Sequence, residues 1–323
     1  MTWLLTGGAG YIGAHVVRAL GRAGMDVVVL DDLSTGIRDF VPDDVPLVEA
    51  SILDTAAVHK ALTDHDAQGV IHLAALKYAG VSVDEPLHYY QVNIEGTRSV
   101  LTAMADAGVD RLVFSSSASV YGTPDVDLVT ESTQTRPESP YGESKLVSEW
   151  LIADVARAEG LRHTNLRYFN VVGSGGDGIY DINPYGLLPA VMKALTDGRT
   201  PVVNGTDYPT RDGTTERDYI HVVDLAEAHV VAAQRLSAGK ELSPAYNLGR
   251  GEGATILEVL ELVKAASGHD VEPELGPRRP GDPARIVGSA ELAAKELGWT
   301  ARFGYPEMVR SAWTTWQEIA ARR

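Results

Sequence analysis

Tyr141 and Lys145 stand four residues apart in S-P-Y-G-E-S-K. On a helix, positions i and i+4 share a face, so a phenol and an ammonium at that spacing point into one site. A cation held there lowers the cost of forming phenolate and moves a tyrosine pKa of about 10 toward neutrality. The pair therefore predicts a tyrosine that acts as a base. Ser139 and Pro140 precede it as an N-cap and a first-turn proline, which predicts that the pair opens a helix. Upstream, F-S-S-S-A-S-V-Y-G begins at the end of the apolar run Arg111 to Phe114, at the carboxyl edge where open α/β sheets bind ligands. Ser117 is the choice among its three consecutive serines, so the catalytic set read from the chain is Ser117, Tyr141 and Lys145.

A tyrosine base of this kind needs a partner, and T-G-G-A-G-Y-I-G near the amino terminus indicates one. Gly7, Gly10 and Gly13, with Tyr11 and Ile12 between the last two, follow a first strand and cross the start of a first helix. Glycines there permit a tight turn and close backbone approach, while the helix N-terminus faces a pyrophosphate. The spacing G-x-x-G-x-x-G resembles that of the short-chain dehydrogenase/reductase superfamily. Asp31 ends the second strand, where a carboxylate accepts ribose hydroxyls and repels an additional phosphate, which favours NAD over NADP. Asp32 competes for that role.

Short apolar runs alternate with amphipathic segments from the start to about residue 170. Trp3 to Thr6, Asp26 to Leu30, Gly69 to His72, Arg111 to Phe114 and Leu161 to Leu166 read as strands. Tyr11 to Arg22, Pro86 to Ala107 and Pro140 to Ala158 read as helices. Such alternation predicts an α/β fold, a Rossmann-type doubly wound parallel sheet over residues 1–170, with a smaller mixed α/β substrate-binding lobe over 171–323 and some later segments returning to the sheet. Turn chemistry dominates Gly173 to Gly178, Asn183-Pro184 and Asn204 to Gly213. Helical patterns return at Val223 to Leu236, Thr255 to Ala266, Ala290 to Leu297 and Tyr305 to Ala320.

The 323 residues include no cysteine, so disulfides, thiol nucleophiles and cysteine-based zinc sites are excluded, and the composition suits a reducing cytoplasm. A formal charge of −16 and a pI near 4.9 oppose nonspecific binding to nucleic acid or an anionic membrane, both polyanions. An anionic substrate then needs local arginines. No apolar stretch reaches the length of a membrane helix, and the nine histidines show no H-E-x-x-H or comparable ligand cluster, so no metal is expected. His221 reads as a core residue or one supporting the site from behind.

Nearly the whole chain resembles the extended short-chain dehydrogenase/reductase family, specifically its bacterial UDP-glucose 4-epimerase members. The resemblance rests on G-G-A-G-Y-I-G (7–13), L-K (76–77), S-S-S-A-S-V-Y-G (115–122), Y-G-E-S-K (141–145), R-Y-F-N (167–170), D-Y-P-T (207–210), R-D-Y-I-H-V-V-D-L (217–225), Y-N-L-G (246–249) and R-R-P-G-D (278–282). It implies tightly bound NAD and interconversion of UDP-galactose and UDP-glucose through a 4-keto sugar that turns within the site. It implies further that Tyr141 takes the 4-hydroxyl proton, that Lys145 bonds the nicotinamide ribose, and that Ser117 orients the 4-oxygen. Ser51, Ile52, Leu73, Ala74, Ala75, Lys77, Asn93, Ser115 and Tyr168 are likewise implied in cofactor binding. Asn170, Leu187, Arg217, Arg279 and Asp282 are implied in substrate binding, with both arginines at the diphosphate, where a guanidinium fork suits oxyanions. The helices within 86–107 and 140–158 imply a homodimer.

Departures from the family pattern also matter. Gly186 stands where the family pattern has an asparagine phosphate donor, and Asn183 is a candidate to take its place. Ser51 replaces an acidic residue near the adenine, and Ile286 occupies the position beside sugar carbon 2, leaving N-acetylhexosamines and pentoses as alternatives. A 4,6-dehydratase needs an acid and a base after Ser117, where Ala118 and Ser119 stand. A reductase releasing NADP needs a basic residue where Asp31 and Asp32 stand. A noncatalytic dinucleotide sensor has no use for Ser117, Tyr141 and Lys145 together.

Overall fold

The computed structural model describes residues 1–270, 272–278 and 282–321. Strand β1 (Thr2–Thr6) is buried almost throughout and leads through the glycine turn into helix α1 (Tyr11–Arg22). There follow β2 (Asp26–Asp31), β3 (Leu47–Glu49), α2 (Thr55–Asp64) and β4 (Ala67–His72). Next come α3 (Ala79–Asp84), α4 (Pro86–Tyr89), α5 (Gly96–Asp106), β5 (Arg111–Ser117), α6 (Pro140–Glu159) and β6 (Arg162–Tyr168).

Among the described residues one seven-stranded sheet forms, in the order Ala245–Leu248, β6, β5, β4, β1, β2, β3. All its pairings are parallel. Apolar side chains cover both faces, as parallel sheets require. Strand order reverses between β1 and β4, which opens a crevice at their carboxyl ends. The doubly wound sheet read from the sequence is present.

The remaining helices are α7 (Leu187–Thr196), α8 (Val222–Ser237), α9 (Ile256–Ser267), α10 (Glu291–Leu297) and α11 (Tyr305–Ala320). Helix α8 packs against α1, and its buried alanines join the core of β1 and β2. Leu188 and Met192 of α7, Val259 and Leu260 of α9, and Met308 and Trp313 of α11 form a separate core. Three short sheets join this half: Asn170–Val172 with Tyr219–His221, Glu216–Arg217 with Ala254–Thr255 and Arg285–Ile286, and Val202–Asn204 with Glu274–Gly276. Among the described residues no helix is long and apolar enough to cross a membrane.

One element differs from its sequence reading in a way that matters. The single helix expected over Pro86 to Ala107 is broken by a π-helical segment, Tyr90–Glu95. Apolar periodicity runs through such a bulge, so the pattern conceals it, and π-bulges recur at functional sites. Here the bulge carries the buried Asn93.

Candidate active site

Helix α6 begins as its cap chemistry predicts: Ser139 Oγ accepts from Gly142 N at 3.2 Å, and Pro140 occupies the first turn. That start places Tyr141 and Lys145, both buried, against the carboxyl end of β5. Lys145 Nζ donates to the Ser115 carbonyl at 2.8 Å and lies 4.8 Å from the Phe114 ring centre. Ser117 ends β5, and its hydroxyl accepts from Ser119 N at 3.1 Å. Burial pushes the Tyr141 phenol up, and its hydrogen bond with Ser117 acts in the opposite sense. The three residues chosen from the sequence thus meet at one strand end.

The electrostatics differ from the sequence expectation. Tyr141 is not drawn toward neutrality here, because desolvation outweighs the help it receives. Lys145 is itself lowered to about 7 by burial, with the Glu149 charge opposing that effect. Tyr168, opposite Ser117 in the β5–β6 register, has its phenol raised by burial and partly restored by the Ser115 hydroxyl. His229 Nδ1 bonds the Leu225 carbonyl at 2.9 Å, so its Nε2 accepts from Ser115 Oγ at 2.7 Å. Burial holds that imidazole neutral, near 4.

The glycine loop has backbone packed too closely for side chains. A Cβ on Gly13 would fall 2.1 Å from the Gly7 carbonyl oxygen, and one on Gly7, whose φ is +78°, would fall 2.7 Å from Ala74 N. Gly10 is the N-cap of α1 and supplies no side-chain acceptor, so the first-turn N–H groups face the crevice for an anion. Tyr11 donates to the Gly173 carbonyl at 2.6 Å, which ties α1 to the second half of the chain, and Ile12 packs beside it. Leu73 N and Ala74 N both bond the Thr6 carbonyl at 3.1 Å, which brings 73–75 against Gly7. These features fit a dinucleotide with its pyrophosphate at Gly7 to Gly13.

Asp31 is buried and accepts from Ala9 N and Leu33 N, each at 2.9 Å. Asp32 is exposed and instead bonds Ser34 through N at 3.0 Å and Oγ at 2.6 Å. Of the two carboxylates, only Asp31 touches the glycine loop. Ser51 Oγ accepts from Leu53 N at 3.2 Å, and Ile52 packs under α5 against Gly96. Asn93 brackets residue 76: its Oδ1 accepts from Leu76 N at 2.8 Å, and its Nδ2 donates to the Leu76 carbonyl at 3.0 Å and to Ser144 Oγ at 2.9 Å. The asparagine amide thus fixes the backbone next to Lys77, whose Nζ lies 5.7 Å from the Tyr78 ring centre.

On the substrate side, Asn170 Nδ2 donates to the Asp218 carbonyl at 3.2 Å, and Leu187 opens α7. Arg217 and Asp282, read as separate ligand contacts, are ion-paired with each other. Arg217 also donates to the Glu216 carbonyl at 2.9 Å. Arg279 lies outside the described residues. A Cβ on Gly186 would lie 3.3 Å from Asn183 Nδ2, so the Asn183 amide reaches the place where a side chain at 186 would begin.

Sequence reasoning missed a buried network behind the lysine. Glu149 accepts from Ser116 Oγ at 2.5 Å, from Arg167 Nε at 2.9 Å and from Arg167 Nη2 at 2.5 Å. Arg167 also donates to Tyr121 Oη, which donates to Asn247 Oδ1 at 2.8 Å. Removing one member of a buried ion pair typically costs about 3–5 kcal/mol, because the other charge is left unpaired. Two signals were present: Glu149 is one turn beyond Lys145 on the same helix face, and Arg167 interrupts the apolar strand L-R-Y.

A family profile described as "Epimerase: NAD dependent epimerase/dehydratase family" matches residues 3–249. A UDP-glucose 4-epimerase of Corynebacterium glutamicum is 42% identical over 302 residues, covering 93% of this chain and 91% of that protein. A solved UDP-glucose 4-epimerase from Stenotrophomonas maltophila, with bound NAD and formylated UDP-arabinopyranose, superposes with a TM-score of 0.96 at 39% identity over 100% of both chains. The UDP-Glc/GlcNAc 4-epimerase of Campylobacter jejuni gives a TM-score of 0.85 at 32% identity, covering 98% of this chain and 99% of that one. With full-length similarity joined to a glycine cradle and a buried serine, tyrosine and lysine at one strand end, the chain belongs to the NAD-dependent epimerase/dehydratase family and groups there with the UDP-glucose 4-epimerases.

Proposed function

We propose that the chain interconverts UDP-galactose and UDP-glucose by reversible oxidation at carbon 4, with NAD held throughout the cycle. The observation that carries this reading is the meeting of Ser117, Tyr141 and Lys145 beside a cradle for a dinucleotide. NAD, when bound, supplies the acceptor and donor of hydride and brings a positive charge to the site. Tyr141 takes the proton of the 4-hydroxyl and later returns it to the 4-oxygen, after the keto sugar has turned so that carbon 4 regains its hydride on the opposite face. Ser117 orients the 4-oxygen, and the Lys145 ammonium stabilises negative charge on the phenol. Asp31 receives the adenosine ribose, Gly7 to Gly13 with Tyr11 and Ile12 hold the pyrophosphate, and residues 51–52, 73–75, 77, 93, 115 and 168 complete the cofactor side.

Asn170, Leu187, Arg217, Arg279 and Asp282 form the nucleotide-sugar side in the same proposal. Diphosphate must then displace Asp282 from Arg217. The reach of Asn183 toward position 186 supports its serving as the replacement phosphate donor. Residues 1–170, joined by α8 and Ala245–Leu248, form the dinucleotide half, and the remainder forms the substrate lobe. A homodimer through the helices within 86–107 and 140–158 is supported by Leu87 and Trp150, which are 81% and 58% exposed. The absence of cysteine supports a cytoplasmic setting.

Purified protein incubated with UDP-galactose and no added nucleotide is expected to form UDP-glucose until a steady mixture is reached. Absence of conversion after NAD is supplied would overturn the hexose assignment and direct the test to UDP-N-acetylhexosamines and UDP-pentoses.

A further inference from the structure

The Glu149 network joins several sequence motifs without containing any residue proposed to touch substrate or cofactor. Ser116 belongs to the serine run, Tyr121 ends the following 3₁₀ turn, Arg167 opens R-Y-F-N, and Asn247 lies in Y-N-L-G. Asn247 extends the network by donating from Nδ2 to the Val129 carbonyl at 3.2 Å and by accepting from Tyr121. The arrangement centres on one carboxylate, because Glu149 is 5% exposed and its partner Arg167 10%. Ser116 lies between Ser115, whose carbonyl holds Lys145, and Ser117, whose hydroxyl faces Tyr141. A force that fixes Ser116 therefore fixes both neighbours relative to α6.

We propose that Glu149 is a positioning residue for the epimerase chemistry: by accepting from Ser116 and from both arms of the Arg167 fork, it locks the end of β5 against α6 so that Ser117 meets Tyr141 and the Ser115 carbonyl meets Lys145. The inference rests on the roles given above to those three residues. Glu149 also sets the charge near the lysine. The titratable groups that bear on Lys145 are Glu149 on its own helix, itself paired with Arg167 of β6, and His72 on β4; Tyr141 lies one turn back on α6, Tyr168 stands opposite Ser117, and His229 bonds the hydroxyl of Ser115, whose carbonyl holds the lysine. His72 and His229 are held neutral, near 3 and 4, and burial keeps both tyrosines protonated. Glu149 is thus the negative charge that favours the ammonium form of Lys145.

The test compares Ser116→Ala, Glu149→Gln and the charge-free pair Glu149→Gln/Arg167→Gln, with Tyr141→Phe as a control. Ser116→Ala removes one hydrogen bond and strands no charge, so it keeps the test open if a glutamate variant fails to fold. Expected for Ser116→Ala is a kcat several-fold lower with KM unchanged. For each folded glutamate variant, kcat should fall at least about tenfold, and in Glu149→Gln, which removes the anion and keeps the Arg167 cation, the alkaline limb of the pH profile should move to lower pH. The sign follows from the charge: without Glu149, Lys145 loses its proton at lower pH, so activity that needs the ammonium ends sooner. Wild-type kcat in Ser116→Ala, or a lowered kcat with an unmoved alkaline limb in folded Glu149→Gln, would overturn the proposal, as would wild-type kcat in the folded charge-free pair. Full activity in Tyr141→Phe would instead overturn the reading on which it rests.

Discussion

Tyr141→Phe is expected to lower kcat for UDP-galactose by about a thousandfold, while KM stays within about threefold. The substitution removes one hydroxyl and keeps the ring that fills the buried space at the start of α6. Folding and nucleotide retention are therefore expected to match wild type. The loss should fall on kcat because the work proposed for the phenol is proton transfer, an interaction that grows toward the transition state. Burial raises the Tyr141 pKa, so the free side chain is a poor base at neutral pH. Ser117 and the positive charges gathered at the site must offset that burial during the reaction. A tenfold loss or less, measured on protein with its full complement of bound nucleotide, would show that another group removes the proton.

Lys145→Met gives the second large effect, and its activity and stability components have opposite signs. Activity falls by about a hundredfold or more, because an ammonium beside a developing phenolate is removed. Stability at pH 6 rises. Lys145 has its pKa lowered from the ordinary 10.5 to about 7, so below 7 the folded protein carries the full penalty of a buried charge. Between 7 and 10.5 the folded chain binds fewer protons here than the unfolded chain, and wild-type stability gains from this group as pH rises. Methionine has about the same length and no charge, so its advantage is greatest below pH 7 and shrinks through that window. One cost opposes it: the Ser115 carbonyl loses the 2.8 Å hydrogen bond from Nζ. The expected net change is on the order of 5 °C in Tm at pH 6. A lower Tm than wild type at pH 6, or a difference that does not diminish by pH 9, would contradict the assignment of a strained, functional lysine.

The parts of this site legible in the sequence are those whose geometry is set by short-range chemistry. Ser139-Pro140 defines the start of α6, and the i, i+4 spacing then aims Tyr141 and Lys145 without tertiary information. Gly7 and Gly13 were legible because their positions exclude a Cβ. Helix α2, ten residues behind its Asp54 cap with Val58, Ala61 and Leu62 buried, was also missed. The strand Ala245–Leu248 was missed because Asn247 interrupts its short apolar run between Pro244 and Gly249, yet it forms an edge of the main sheet. The π segment at Tyr90–Glu95 preserved the helical pattern while redirecting Asn93. Pairing of Arg217 with Asp282 depends on two side chains 65 positions apart, which no local rule brings together. The lowered Lys145 pKa escaped for a related reason: desolvation depends on what packs around the helix, and the spacing of its residues is silent on that.

The most direct test of the central claim uses UDP-galactose with deuterium at carbon 4, incubated with the purified protein in ordinary water and without added nucleotide. Hydride that leaves carbon 4 and returns to it within one closed site carries the isotope into the product. The account predicts UDP-glucose with deuterium retained at carbon 4. Product with hydrogen from solvent at that carbon would contradict it, because the stereocentre would then have been inverted by proton exchange rather than by oxidation and return of the same hydride.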